Sequence, residues 1–159
     1  MKTPSQTVGP FYSIGLCRRS ENELVESTDP GALHIVGRLV DGDDMPIFDG
    51  VIEIWQAADR RWGRSGTDEE GGFSFVAPKS TALPGEAPRL DVYVFARGLL
   101  KHQLTRMYFP DESDANAGDP VLSSLSERER ETLVAEADGS TLRFDIHMQG
   151  ENATVFFVP

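Results

Sequence analysis

The sequence is poor in the residues that most often bind metals or form disulfides. It has 159 residues with one cysteine, Cys17, and three histidines, His34, His102 and His147. A single cysteine excludes an internal disulfide and a cysteine-rich metal site, and it favours a reducing compartment such as the cytoplasm. The histidines lie on three separate segments, without the His-x-His or His-x-x-x-His spacing that would place two imidazoles on one side of an element. These residues therefore predict no metal ligand.

Long hydrophobic runs and positive charge are also scarce. No apolar run approaches the ~20 residues needed to cross a membrane, and the N-terminus lacks the basic and then apolar pattern of a secretory signal. Lys and Arg total 15 against 26 Asp and Glu, which gives a net charge of −11. Such a field repels phosphate backbones and anionic membranes. We expect a cytoplasmic protein that binds neither nucleic acid nor membrane, in which an anionic ligand needs a local positive patch.

What the sequence does contain is a series of short apolar or alternating segments separated by turns. The turns are rich in Gly, Pro, Asp and Asn, as tight connections require. An apolar content of 39% over 159 residues is enough for one core. We predict an all-β protein, an antiparallel β-sandwich in a single domain of residues 1–159. Its expected strands cover residues 33–40, 51–57, 72–77, 89–98, 104–109, 142–148 and 154–158.

Two segments do not fit the strand pattern. Residues 1–16 include "TPSQTVGPFY", whose prolines and glycine favour an extended arm that another surface must hold. Ser126 and Glu129 form the pattern of a capping box, which predicts one short surface helix through residues 128–137. The predicted molecule is thus a sandwich with an N-terminal arm and one helix.

Arg97 is the candidate binding residue that stands out. It lies between bulky apolar residues at the end of a predicted strand, where a guanidinium needs an anion, a backbone acceptor or an aromatic face. It could bind a carboxylate ligand through two hydrogen bonds, or it could form a structural salt bridge to one of the many acidic residues. Arg106 has the same two possibilities.

Other residue types give weaker signals. Tyr12, Tyr93 and Tyr108 could bind ferric iron as phenolates, although packing in a core or interface is the commoner use of tyrosine. A serine hydrolase is not indicated, because Ser65 in "GRSGT" lacks the Gly-x-Ser-x-Gly frame. Both alternatives need a spatial arrangement that the residue spacing does not supply.

Four segments, in order along the chain, carry a family resemblance: "TPSQTVGPFYSIGL", "IEIWQA", "FARGLLKHQLTRMYF" and "FDIHMQGENATVFF". Together they resemble the α subunits of the protocatechuate 3,4-dioxygenases, which are intradiol ring-cleaving enzymes. The resemblance runs from Thr3 to Phe157. It implies a cytoplasmic β-sandwich subunit of an α–β hetero-oligomer that uses non-haem ferric iron and dioxygen. The implied reaction converts protocatechuate to 3-carboxy-cis,cis-muconate in the β-ketoadipate route of aromatic degradation.

The resemblance also implies which subunit carries the iron. In the family, two tyrosines and two histidines of the β chain hold the ferric ion, and the histidines form a His-x-His pair on the strand before the "FARG"-like turn. Here Arg89 and Asp91 stand at those two positions, and no tyrosine lies between Trp55 and Arg89. We therefore expect Fe(3+) to be held by the partner β subunit, with no metal ligand and no catalytic residue in this chain.

The resemblance further implies a set of substrate-binding residues. The family's α-chain arm packs over the β chain's iron pocket, and Thr7, Gly9, Pro10 and Phe11 match its lining positions. Phe11 stands where relatives often have tyrosine, so a hydroxyl contact is lost there. Arg97 matches an arginine that reaches into the same cavity, where it would attract the carboxylate of protocatechuate and orient the ring.

Two other interpretations stay open at this point. A metal-free β-sandwich acting as a binding or assembly module would be stable without a β subunit, and its arm would be unordered. A self-sufficient iron dioxygenase would have to use Tyr12, Tyr93, His34 or His147 in a new arrangement. Neither interpretation requires the arm to meet a partner.

Overall fold

The computed structural model describes residues 2–158, and the strands in that range form two sheets. The first sheet has the order β4–β1–β8–β7 with β9 also paired to β1, and the second has the order β3–β2–β5–β6. The pairs of β1 with β8 and β9 are parallel, and the other strand pairs are antiparallel. This arrangement confirms the predicted all-β sandwich. The strands are β1 (Ala32–Val40), β2 (Val51–Gln56), β3 (Arg61–Gly66), β4 (Gly72–Pro78), β5 (Arg89–Phe95), β6 (Gln103–Tyr108), β7 (Glu136–Asp138), β8 (Thr141–Arg143) and β9 (Ile146–His147).

The main core lies between the two sheets, because alternate residues of their strands are apolar and point inward. One continuous cluster of buried side chains joins both sheets. The first sheet contributes Ile35, Phe73 and Phe75, and the second contributes Ile52, Leu90 and Val92. A smaller cluster around Tyr108, Leu122 and Leu133 packs beneath the short helices.

Strand β5 shows the alternation that the sequence predicts. Leu90, Val92 and Val94 are at most 2% exposed, whereas Asp91 and Tyr93 between them are half-buried. The strand lies between β2 and β6, paired antiparallel with both. Its outer face is therefore mixed rather than fully solvated, as expected from its mixture of charged and aromatic residues.

Some observed strands differ from the predicted ones. Strand β3 was missed because its inward positions are Gly63 and Ser65 rather than large apolar residues. A larger residue would not fit there, since a Cβ on Gly63 would lie 2.5 Å from Leu24 Cδ1. The segment 142–148 divides into β8 and β9, and the predicted strand 154–158 is wrong, because it makes a single bridge to β6 instead.

The described residues contain four short helices rather than one: α1 (Tyr12–Leu16), α2 (Ser113–Gly118), α3 (Pro120–Ser124) and α4 (Glu127–Glu131). The capping box of Ser126 and Glu129 at α4 is confirmed. The helix nevertheless ends after five residues, because Leu133 and Ala135 are buried and their backbone groups bond to Tyr108 at 2.8 and 3.0 Å. None of these described helices is long and apolar enough to cross a membrane.

Candidate functional site

Arg97 lies in the turn that joins β5 to β6. Gly98 adopts a φ of +88°, a left-handed conformation that favours glycine, and Leu99 N donates to Ala96 O at 3.3 Å. This turn ends β5 at Phe95, before the predicted residue 98. As a result the Arg97 side chain leaves the sheet with half of its surface exposed.

Two residues from the loop before β2 hold the Arg97 side chain. Its Nε forms an ion pair with Asp49 Oδ2, and its Cζ lies 5.3 Å from the centre of the Phe48 ring. The Asp49 side chain is 7% exposed, whereas Phe48 is exposed. Within residues 2–158, no hydrogen bond is formed by the Arg97 guanidinium, and Asp49 is its one ion-pair partner. Arg97 therefore makes one structural ion pair, and its half-exposed guanidinium keeps hydrogen-bond donors for a ligand.

A cleft of about 800 Å³ opens beside Arg97. It lies at one end of the sandwich, between the β5–β6 turn and the segment after β9. Its apolar lining comes from Ile47, Leu99, Met148 and Phe156. Arg97 thus offers positive charge next to apolar surface, which suits an aromatic acid.

The N-terminal arm reaches the same turn. Thr7 Oγ1 accepts a hydrogen bond from Gly98 N at 2.8 Å, although the two residues are 91 positions apart. The structure therefore brings two of the predicted site residues, Thr7 and Arg97, to the same turn. Gly9 and Pro10 follow Thr7 closely along the arm and are exposed.

The second half of the arm packs on the outer face of the second sheet. Arg64 Nη1 on β3 donates to Leu16 O at the end of α1 at 3.2 Å, and its Nη2 lies 2.6 Å from Glu53 Oε1 on β2. The rings of Tyr12 and Phe95 have centres 5.8 Å apart. These contacts hold α1 on its own chain and leave the residues before it to reach outward.

Gly9, Pro10 and Phe11 meet little of their own chain. A Cβ on Gly9 would find no heavy atom within 4 Å, and Gly9 has no positive φ, so the described residues impose no need for glycine there. Phe11 is 75% exposed and its neighbour Ile14 is 74% exposed. Large apolar side chains exposed together on a short segment are typical of a surface that binds another protein.

The opposite end of β5 holds Arg89 and Asp91, the residues at the expected iron-ligand positions. Arg89 Nε donates to Asp91 Oδ1 at 3.1 Å, and Arg89 Nη1 forms an ion pair with Glu86. Arg106 Nε lies 3.6 Å from the same Asp91 oxygen. Only about 10 Å³ of free space borders Arg89 and Asp91. These residues do not fit a ferric ion, because Asp91 already has two cationic partners and the guanidinium of Arg89 would repel the metal.

The same charge network continues to Asp119, which is 1% exposed. Arg106 Nη1 donates to Tyr108 Oη at 3.3 Å, and Tyr108 Oη donates to Asp119 Oδ1 at 3.2 Å. Burial would raise the pKa of Asp119, but hydrogen bonds hold that pKa below its usual value. Besides Tyr108, the donors are the backbone N–H groups of Ala87, Val121 and Leu122. The Arg89 end of β5 is therefore closed by satisfied polar groups.

The side chains considered for a self-sufficient iron site are not brought together. Burial raises the pKa of Tyr108, and burial followed by the nearby Glu53 carboxylate raises that of Tyr12, which disfavours the phenolate form. Tyr93 lies on β5, whereas His34 and His147 lie on β1 and β9 of the other sheet. Among residues 2–158, no three His, Cys, Asp or Glu side chains are grouped so that they could hold a metal ion.

Comparison with known proteins shows relatives over almost the whole chain. The α chain of protocatechuate 3,4-dioxygenase from Burkholderia cepacia is 36% identical over 192 aligned positions, which cover 98% of this chain and 96% of that one. The corresponding α chain from Pseudomonas putida is also 36% identical, with the same coverage. This chain belongs to the protocatechuate 3,4-dioxygenase α-chain family. The resemblance drawn from the four sequence segments is thereby confirmed.

Further comparisons extend the family relationship to the second subunit and to the fold. The protocatechuate 3,4-dioxygenase β chain of Burkholderia cepacia is 27% identical over 154 positions, covering 76% of this chain and 65% of that one. The dioxygenase domain of a carbohydrate-binding fusion protein from Streptomyces sp. SirexAA-E has a TM-score of 0.61 at 20% identity, covering 81% of this chain and 87% of that one. An intradiol ring-cleavage dioxygenase from Tetranychus urticae has a TM-score of 0.59 at 16% identity, covering 84% and 89%. No family model matches the chain.

Sequence reasoning predicted Arg97 as a site residue and did not single out Asp49. Asp49 stands in "IFDG", a string that is typical of a turn. Its ion pair with Arg97 joins the loop before β2 to the turn after β5. The pairing of β2 with β5 brings these segments together, and nothing local in either segment signals the contact.

Proposed function

We propose that this chain is the α subunit of a protocatechuate 3,4-dioxygenase and supplies part of the substrate pocket, while a partner β subunit holds Fe(3+). Protocatechuate and dioxygen are converted there to 3-carboxy-cis,cis-muconate, a step of aromatic degradation by the β-ketoadipate route. The two α-chain relatives at 36% identity support the assignment. The related β chain supports the α–β partnership. The single cysteine favours the cytoplasm as its location.

The arm is proposed to line the pocket of the partner. Thr7 is hydrogen-bonded to the turn that carries Arg97. The arm and Arg97 therefore lie next to each other on one surface. Gly9, Pro10 and Phe11 are exposed beside them, where the glycine allows close approach of a flat ring and the proline forms a rigid apolar wall. Residues 1–159 are treated as one domain whose arm, residues 1–16, packs on the β subunit.

The half-exposed Arg97, whose guanidinium donates no hydrogen bond within residues 2–158, is the observation that carries the proposal. Protocatechuate has a carboxylate, and a guanidinium can bind both of its oxygens in a planar, paired geometry. This local cation also counteracts the repulsion that the net charge of −11 exerts on an anionic substrate. Iron in the partner would supply binding and activation of the catechol hydroxyl end. Arg97 would fix the opposite end of the ring, and hence its orientation.

The test uses the α–β complex with Arg97→Ala and, as the conservative control, Arg97→Lys. Loss of a charged hydrogen bond is worth about 1.5–3 kcal/mol, so Arg97→Ala should raise the KM for protocatechuate by about 10- to 100-fold. The KM for catechol, which has no carboxylate, should change less than about threefold. Lysine keeps the charge but loses the paired geometry, so it should lie between alanine and wild type. Equal changes for both substrates would contradict carboxylate recognition.

A visible spectrum tests the division of labour between the subunits. The chain purified alone should be colourless, and the complex with a β chain should show the tyrosinate-to-iron charge-transfer band. Colour in the lone chain would show that this chain binds iron itself, with Tyr12, Tyr93 and the histidines as the candidate ligands. A stable lone chain that captures no β subunit, with no colour in either sample, would support a metal-free binding module instead.

A further inference from the structure

Asp49 is a buried acid whose one polar side-chain partner is Arg97. The residue is 6% exposed, and its Oδ2 forms an ion pair with Arg97 Nε. No hydrogen bond within residues 2–158 reaches that oxygen, so the contact with Arg97 is an electrostatic one. A buried carboxylate normally collects several donors, because its desolvation is otherwise costly. Asp49 depends instead on a side chain that is itself half-exposed.

Two other aspartates of this chain, one in a turn and one at the start of a helix, have clear structural roles. Asp68 Oδ1 accepts from the backbone N–H groups of Glu70 and Gly72, and Asp119 accepts from three backbone N–H groups. Such bonds shape the turn or cap the helix that contains them. Asp49 accepts no backbone hydrogen bond from residues 2–158, so its carboxylate is not needed to form its own loop. The one polar contact of the Asp49 carboxylate is the ion pair with Arg97.

The backbone on both sides of Asp49 is held firmly. Thr67 Oγ1 accepts from Gly50 N at 2.8 Å and donates to Ile47 O at 2.6 Å, and Thr67 N donates to Gly50 O at 3.0 Å. A Cβ on Gly50 would lie 2.6 Å from Leu39 Cδ2, so this loop is packed tightly on the core. The Asp49 carboxylate therefore has a fixed place from which it can constrain a flexible partner.

We propose that Asp49 is a positioning residue that sets the orientation of Arg97 for the substrate carboxylate. This inference rests on the proposed function. Asp49 contacts Nε while the Arg97 side chain stays half-exposed, and Phe48 packs against the guanidinium. Fixing one nitrogen removes much of the rotamer freedom that an arginine would otherwise lose on binding.

The experiment compares Asp49→Ala and Asp49→Asn in the α–β complex, with protocatechuate and catechol as substrates. Asp49→Ala should raise the KM for protocatechuate by about 5- to 10-fold, with the change in KM rather than kcat and little change for catechol. Asp49→Asn should recover most of this loss, because its amide oxygen can still accept from Nε. Asp29→Asn removes the same charge from an exposed residue that does not line the cleft beside Arg97, and its KM values should match wild type.

A double variant shows whether Asp49 acts through Arg97. Adding Asp49→Ala to Arg97→Ala should raise the protocatechuate KM no further than Arg97→Ala alone. Additive effects, or equal changes for both substrates, would overturn the proposal. If Arg97→Ala is selective and Asp49→Ala is silent, the proposal for Asp49 fails while the proposed function stands.

A second readout does not depend on activity. In the ¹⁵N NMR spectrum of the full chain, the Arg97 Nε–H resonance should be protected from exchange in wild type and Asp49→Asn but exchange rapidly in Asp49→Ala. An unchanged resonance in Asp49→Ala would overturn the proposal even if no β subunit is captured. A complex that forms but does not cleave protocatechuate would instead reject the proposed function.

Discussion

The two ends of strand β5 each carry an arginine, and the chain uses the two in opposite ways. Arg89 is 8% exposed and paired with Glu86 and Asp91, whereas Arg97 is 50% exposed and paired with Asp49 alone. Both stand beside apolar residues in the sequence. Burial and the number of acidic partners separate them. A guanidinium buried between two carboxylates stabilises the fold, whereas a half-exposed guanidinium with one acidic partner can also bind a ligand.

The largest expected effect is at the Arg89 end, in the charge network that ends at Asp119. Asp119→Ala leaves the buried backbone N–H groups of Ala87 and Leu122 without an acceptor. The free energy of unfolding should therefore fall by about 3–4 kcal/mol. Urea denaturation of the full chain measures this loss. A fall below about 1 kcal/mol would show that the network is not the stabilising end of the strand.

Asp119→Asn supplies the control, because it keeps the size of the residue and removes the charge. Hydrogen bonds hold the pKa of Asp119 low in the folded chain, so its contribution is present above the usual aspartate pKa of about 4 and is lost as pH falls through the folded pKa. The difference in unfolding free energy between wild type and Asp119→Asn should therefore shrink as pH is lowered from 5 towards 2. A difference that does not change with pH would contradict the assigned charge state.

The next effect is the removal of Arg89. Arg89→Met should lower the free energy of unfolding by about 2–3 kcal/mol, because Glu86 and Asp91 lose their shared cation and both are partly buried. A chain of this size should then melt about 5–10 °C lower. The double variant Arg89→Met with Asp91→Asn should recover part of the loss. No recovery would mean that packing, rather than charge, explains the destabilisation.

The matched change at the other end of the strand should be milder. Arg97→Met should destabilise the chain by about 1–2 kcal/mol, because one carboxylate, the buried Asp49, is left unpaired and the half-exposed arginine loses little packing. Adding Asp49→Asn should remove that cost. If Arg97→Met destabilises as much as Arg89→Met, the two arginines do not differ in the way their burial indicates.

The smallest expected effect is at the arm. Thr7→Val removes the acceptor for Gly98 N and should change global stability by about 0.5 kcal/mol or less, because the bond is exposed. Hydrogen exchange at the Gly98 amide should nevertheless become faster, with Thr7→Ser as the control that keeps it slow. Unchanged exchange in Thr7→Val would show that the arm does not dock on the Arg97 turn.

Sequence reasoning reached most of the sheet structure and failed where tertiary packing overrides local pattern. Strand β5 was evident because large apolar residues alternate along it. Strand β3 was hidden because Gly63 must be small to let Leu24 pack against it. The helix at Ser126 begins as its capping box predicts but stops early, because the buried Leu133 is needed in the second core cluster.

The candidate site divides in the same way. Thr7 was predicted from a resemblance, and Arg97 from its apolar surroundings and then from the same resemblance. Their shared turn was not visible in the sequence, since the hydrogen bond to Gly98 spans 91 positions. Asp49 was not identified, because a single acid in a turn-like string carries no local sign of its partner. An ion pair between residues that are distant in sequence can be predicted from one sequence only when a role is already known for one of the two residues.

The charge network at Arg89 also bears on how this chain could change over evolutionary time. Placing two histidines on β5 would require Arg89→His and Asp91→His, and either step alone leaves Glu86 or Arg106 without its counter-ion. Each unpaired charge costs about 1–3 kcal/mol before any metal can bind. Stability is lost before a new activity is gained. The network thus opposes the stepwise appearance of a metal site on this strand.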